Sequence, residues 1–209
     1  MNNGFLSKVY KWLAIGLLIT FGCGYLLSLD VELFASIISA YGLFAIIEIV
    51  LGLVMIFALH KLSDTVVKTL YLIYTAITGI TFGSIFLYYQ MSSIIFVFLA
   101  TAVIFGVLGY VGKNTKLNLN GFATFLLVAL LGSLVLTLIN VFVKSAAIDL
   151  GTSIAILLIF CGYIVVDIWR ISRMNGEQEE KYAVFWAFQL YLDIINVIIK
   201  LLQLFGKRD

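Results

Sequence analysis

Apolar positions fill the chain in seven long runs, roughly 9–29, 33–59, 69–89, 93–112, 121–143, 152–174 and 182–205, and polar residues gather in the short breaks between them. A helix needs ~20 apolar residues to cross the ~30 Å hydrocarbon core. The pattern therefore predicts an all-α polytopic membrane protein with seven transmembrane helices in a single domain over residues 1–209. The breaks hold Asp30 and Glu32, His60 to Lys68, Gln90 to Ser93, Lys113 to Asn120, Lys144 to Asp149, and Asn175 to Lys181. None exceeds an ordinary helix connection. The first run follows Lys8 and Lys11 in the manner of a signal peptide, but it is too long for an h-region and further runs follow it, so it reads as a first span.

Proline is absent, so any bend must come from glycine, a bulge or an inserted side chain. Gly79 and Gly83 form a GxxxG in the third span, and Gly106, Gly109 and Gly112 recur every third residue in the fourth, as close helix packing requires. Tyr10, Trp12, Tyr88, Tyr89, Tyr110, Trp169, Tyr182 and Trp186 fall near span ends, where interfacial aromatics belong. Asn175 and Gly176 supply a left-handed stop after the sixth span.

Composition sharpens the class. Of 209 residues 63% are hydrophobic and 11% charged, and the mean hydropathy is +1.15, which excludes a soluble domain. The net charge of +2 comes without a basic stretch interleaved with aromatics, which excludes nucleic acid as a partner. Cys23 and Cys161 lie in apolar runs as small hydrophobes, not as a disulfide or a metal site. No zinc cluster, nucleophile elbow, phosphate-cradling loop or HExxH helix occurs, so no enzyme is expected, and no cofactor.

Orientation follows from the cations. Lys8, Lys11, Lys61, Lys68, Lys113, Lys116, Arg170, Arg173 and Lys181 fall on the N-terminal side, and Lys144, Lys200, Lys207 and Arg208 on the other. Nine against four places the N-terminus in the cytoplasm and, with seven spans, the C-terminus outside. A six-span chain with a re-entrant last segment returns the C-terminus to the cytoplasm, a reading that only the basic tail favours.

Glu48, Asp167 and Asp193 are the acids inside the spans. An ionisable group at membrane depth costs at least ~2.5 kcal/mol and normally faces the bundle interior with a function. The structural alternative for each is a tie to a neighbouring helix. In the last span Gln189, Asp193, Asn196, Lys200 and Gln203 are spaced four, three, four and three apart, one polar seam on an apolar helix. Asp167 and Asp193 stand seven and twelve residues from the turn between their spans. The mismatch is ~7.5 Å, which tilt and side-chain reach absorb. Two carboxylates close together in a poor dielectric share a proton, so the pair reads as a proton-sensitive latch. Arg170 offers Asp167 an ion pair at i,i+3, and His60 is a second candidate counter-charge. Lys200 either snorkels or lines the path.

At these residues the chain resembles the transmembrane Bax inhibitor motif family, in a bacterial form. Leu190 to Gly206, LYLDIINVIIKLLQLFG, is similar to the family's last helix, and Tyr163 to Ile171, YIVVDIWRI, to its sixth. Thr101 to Gly132, with Thr115 and Lys116 opening a loop, and Gly79 to Gly83 match more loosely. The resemblance implies a seven-helix fold with the last helix central, in the inner (cell) membrane. It also implies a pH-responsive, calcium-permeable leak, with Asp167 and Asp193 as the pH-sensitive pair. Glu48 sits where bacterial relatives carry an acid. Two departures stand out: Asn118 occupies a loop position that is often acidic, and His60 and Lys61 occupy positions where relatives carry arginine.

Calcium wants six to eight oxygens. Glu48, Asp167, Asp193, Gln189 and Asn196 supply several and water the rest, so calcium enters as a permeant ion, not a tightly bound metal. The same chemistry suits protons or sodium. The partners expected are the bilayer, calcium ions and protons, with a membrane protein as a further candidate. Two other classes stay open: a cation/proton antiporter, against which the lack of an internal repeat counts, and a regulatory interaction protein acting on a membrane protease or a stress pathway.

Overall fold

The computed structural model describes residues 3–174 and 180–208. Eight helices follow in order: α1 Asn3–Ser28, α2 Val31–Ile38, α3 Tyr41–Phe57, α4 Asp64–Tyr88, α5 Met91–Asn114, α6 Asn120–Val143, α7 Ala146–Ser172 and α8 Glu180–Phe205. Six of these, α1 and α4 to α8, are long and apolar enough to cross a membrane, and α2 with α3 makes a seventh if the bent pair is one span. The stop expected at Asn175 and Gly176 lies outside the described residues.

The second apolar run is thus two helices with a 63° bend between them, where the pattern predicts one. Neither proline nor a glycine at the break accounts for it. The Ser36 and Ser39 hydroxyls donate to the Leu33 and Ser36 carbonyls, each at 2.7 Å. The same back-bonds occur in α4, which stays unbroken, so they accompany the bend and do not by themselves explain it. Asp30 caps α2 through the Leu33 N–H at 2.9 Å. Ser63 and Ser145 cap α4 and α7 in the same way. Lys144 ends α6 in the left-handed region at φ 55°, and the Asn140 side chain accepts the next N–H, that of Ser145, at 2.8 Å. The last run is one unbroken helix, so the broken element is the second apolar run and not the final segment.

The chain divides into two compact units. The first holds α1 to α4, the first half of α8 to Tyr191, and Arg208. Here α1 and α4 meet through glycines: a Cβ on Gly79 would stand 2.8 Å from the Thr20 carbonyl, and one on Gly24 2.9 Å from the Gly79 carbonyl. Ala183, Val184, Ala187, Phe188 and Leu190 of α8 are fully buried.

The second unit holds α5 to α7 and the second half of α8. A Cβ on Gly112 would stand 2.5 Å from the Val165 carbonyl of α7, and one on Gly109 3.0 Å from the Ile168 side chain, whereas Gly106 faces open space. The glycine repeat therefore serves close packing at two of its three positions. Ala123 and Leu126 of α6 pack with Ile159 and Val166 of α7. The rest of α6 is largely exposed, with Phe142 at 87%, as a lipid-facing helix should be. Trp169, three residues from the end of α7, is buried against the protein.

Candidate functional site

Asp167 lies in the last two turns of α7 and Asp193 in the middle of α8. Both belong to the second unit, and they are only 3% and 5% exposed. The charge of Asp167 is within electrostatic range of Asp193. The Arg170 guanidinium, one turn on, stands 3.6 Å from the Asp167 carboxylate. Asp193 Oδ2 is buried with no hydrogen-bond partner among the described residues. With both carboxylates ionised, the trio Asp167, Asp193 and Arg170 carries one net negative charge, and a single proton held by the pair neutralises it.

Tyr163 and Cys161 on α7 also lie within range of the Asp193 charge. Cys161 did not stand out in the sequence as part of this site, because it reads as a small hydrophobe in an apolar run, and Tyr163 entered only as the first residue of the segment that resembles the family's sixth helix. Arg173 reaches the Thr115 carbonyl and stacks over Trp169 at 4.7 Å from the ring centroid, which fixes the end of α7. Asn196 is half-buried, and its amide donates to the Leu192 carbonyl at 2.8 Å. Lys200 donates to Gln203 along its own helix at 2.8 Å. Among the described residues no three His, Cys, Asp or Glu side chains gather as metal ligands.

A second polar cluster occupies the first unit. Glu48 sits at the middle of α3, half-buried, with Oε1 unpartnered among the described residues. Thr78 of α4 lies beside it, with its own hydroxyl donating to the Tyr74 carbonyl at 3.0 Å, and Tyr74 and Tyr191 lie within range of its charge. The Thr20 hydroxyl donates to the Thr75 carbonyl at 2.8 Å and lies 2.6 Å from the Tyr191 hydroxyl. A hydroxyl has one proton to give, so Tyr191 is the donor to Thr20. Gln189, also in the first unit, is half-buried. His60, in the turn after α3, is exposed, with its ring 6.4 Å from that of Tyr182.

The family described as Inhibitor of apoptosis-promoting Bax1 matches residues 2–209, the whole of this architecture and both polar clusters. The chain belongs to the Bax inhibitor family. The inner membrane protein YbhL of Escherichia coli is 33% identical to it over 216 residues, covering 98% of this chain and 92% of the relative. A protein of Borreliella burgdorferi is 35% identical over 217 residues, covering 100% and 94%, and one of Deinococcus radiodurans 32% over 210, covering 98% and 91%. Membership of the Bax inhibitor family agrees with six to seven apolar helices of spanning length, and the chain is an integral membrane protein in contact with the bilayer.

Proposed function

We propose that the protein is a pH-sensitive, calcium-permeable leak channel gated by the aspartates of α7 and α8. The observation that carries this reading is the burial of both Asp167 and Asp193, with the Asp167 charge in range of Asp193 and Arg170 3.6 Å from Asp167. Such a pair changes its net charge by a proton, and a change of charge between two packed helices alters how they hold together. Glu48 and Gln189 of the first unit and, separately, Asn196 of the second are the ion-pathway residues of this reading. Water completes the shell, since conduction needs an ion to leave as readily as it enters. The last helix is the central element, no chemical step is catalysed, and no cofactor is required. The protein resides in a bacterial inner membrane with its N-terminus in the cytoplasm and its C-terminus outside.

The test is calcium entry into liposomes that contain only the purified protein and an enclosed indicator. Entry that varies with bath pH and is absent from protein-free liposomes supports the channel. Entry only under an imposed proton gradient makes the protein an antiporter instead. No entry under any condition leaves the reading of a regulatory partner for another membrane protein.

A further inference from the structure

At the end of α4 the chain turns through Tyr89, whose backbone forms an isolated antiparallel bridge with Arg208 beyond the end of α8. This bridge closes one side of a cleft of about 250 Å³ lined by Ser84, Ile85, Tyr88, Tyr89 and Arg208. Ligand sites for drug-sized molecules run to ~300–1,000 Å³, so this space is on the scale of a headgroup. Its one charged lining residue is Arg208, which makes no ion pair among the described residues. The Ser84 proton is already directed at the Thr81 carbonyl at 2.7 Å, which leaves the guanidinium and the tyrosine hydroxyls as the donors.

Ser84 to Tyr88 form the last turn of a membrane span, the level at which lipid headgroups lie. A guanidinium fork matches two phosphate oxygens at once, and tyrosine gives an apolar body with a polar tip at the same depth. An ethanolamine or choline headgroup brings a cation as well as its phosphate, and among the described residues no carboxylate lines the cleft to receive it.

We propose that this cleft binds the phosphodiester of an anionic phospholipid, with Arg208 as the phosphate ligand and Tyr88 and Tyr89 as flanking donors. The backbone bridge to Tyr89 holds the arginine at the cleft, which distinguishes it from a basic residue on a free tail.

The full-length protein in detergent is incubated with equal amounts of phosphatidylglycerol and phosphatidylcholine, and the retained lipid is quantified by mass spectrometry. Phosphatidylglycerol should be retained in preference. Arg208→Gln should lower that preference about fivefold, the equivalent of one lipid-facing cation. Arg208→Lys keeps the charge without the fork and should lose most of the preference as well. Lys207→Gln removes the neighbouring charge and should stay within about twofold of the parent, because it does not line the cleft. Equal loss in Lys207→Gln and Arg208→Gln would make the effect one of overall charge and overturn the site, as would equal retention of both lipids by the parent. Inorganic phosphate at millimolar concentration should not displace the lipid. Full displacement would assign the cleft to free phosphate and overturn the lipid. Unchanged thermal unfolding in the three variants shows that folding is not the cause.

Discussion

Tyr191 and Thr20, 171 residues apart in the chain, bring their hydroxyls to 2.6 Å inside the first unit, and Thr20 passes its own proton to the Thr75 carbonyl. This chain ties α8 to α1 and α4 at a point where each of the three polar atoms has a partner. Tyr191→Phe removes the donor while Thr20 keeps its bond to Thr75, so the loss should be that of one buried hydrogen bond, about 0.5–1.5 kcal/mol. Thermal unfolding in detergent measures it. Thr20→Val should cost more, because it strands the Tyr191 hydroxyl in a fully buried site.

Asp193→Asn keeps the shape of the side chain and removes its charge. If Asp167 and Asp193 act as one titrating unit, calcium entry in this variant should be nearly independent of bath pH while the protein still folds. The double variant Asp167→Asn, Asp193→Asn should be no flatter than the single one, because residues acting as a unit are not additive. An unaltered pH response in Asp193→Asn removes the pair as the sensor.

How much of this was legible beforehand depends on the range of each interaction. The ion pair of Asp167 and Arg170 was legible because helical spacing alone puts i and i+3 on one face. The expected approach of Asp167 and Asp193 rests on counting residues from the polar break between their spans. The link from Tyr191 to Thr20 was not, since it depends on which distant helices pack together. Nor was the bend before Tyr41, where the chain has neither a proline nor a glycine to mark it. The aromatic run-ends read as interfacial, yet Trp169 is buried with Nε1 unpartnered among the described residues. Periodicity gives depth along a helix; burial around it is set by neighbours.

Gly112→Ala should destabilise the second unit, because the added Cβ would meet the Val165 carbonyl at 2.5 Å and α5 would have to move from α7. Overpacking of this kind costs about 1–3 kcal/mol. Gly132→Ala on α6 is the control: nothing lies within 4 Å of its added Cβ, and the change should fall within about 0.5 kcal/mol of the parent. Equal melting temperatures for the two variants would show that the contact of α5 with α7 is looser than described.

Glu48→Gln distinguishes a conducting carboxylate from a structural one. If Glu48 lines the path, its Oε1, buried without a hydrogen-bond partner among the described residues, is the atom that an ion would take up. The substitution should then lower calcium entry at every pH without moving the pH response, since the ion loses a ligand and the aspartates are untouched. A silent substitution removes Glu48 from the path, because an amide replaces a protonated carboxyl with similar hydrogen-bonding capacity.

The last prediction concerns whether α2 and α3 cross the membrane together. If the bent pair is one span, the cations divide nine to four between the two sides, with the larger share on the side of the N-terminus. If it is re-entrant, every later connection changes side. Lys8, Lys11, Lys144, Lys200, Lys207 and Arg208 then share one side, and Lys61, Lys68, Lys113, Lys116, Arg170, Arg173 and Lys181 the other, a division of six to seven that orients nothing. The positive-inside rule therefore favours a crossing, even though α3 alone, at 17 residues, is at the lower limit for a span. Cysteines placed at residues 30 and 61 should be labelled from opposite faces of the membrane, with residue 30 on the outer face and the C-terminal tail alongside it. Labelling of both positions from one face would make the pair a re-entrant loop, reduce the count to six spans and bring the C-terminus to the same side as the N-terminus.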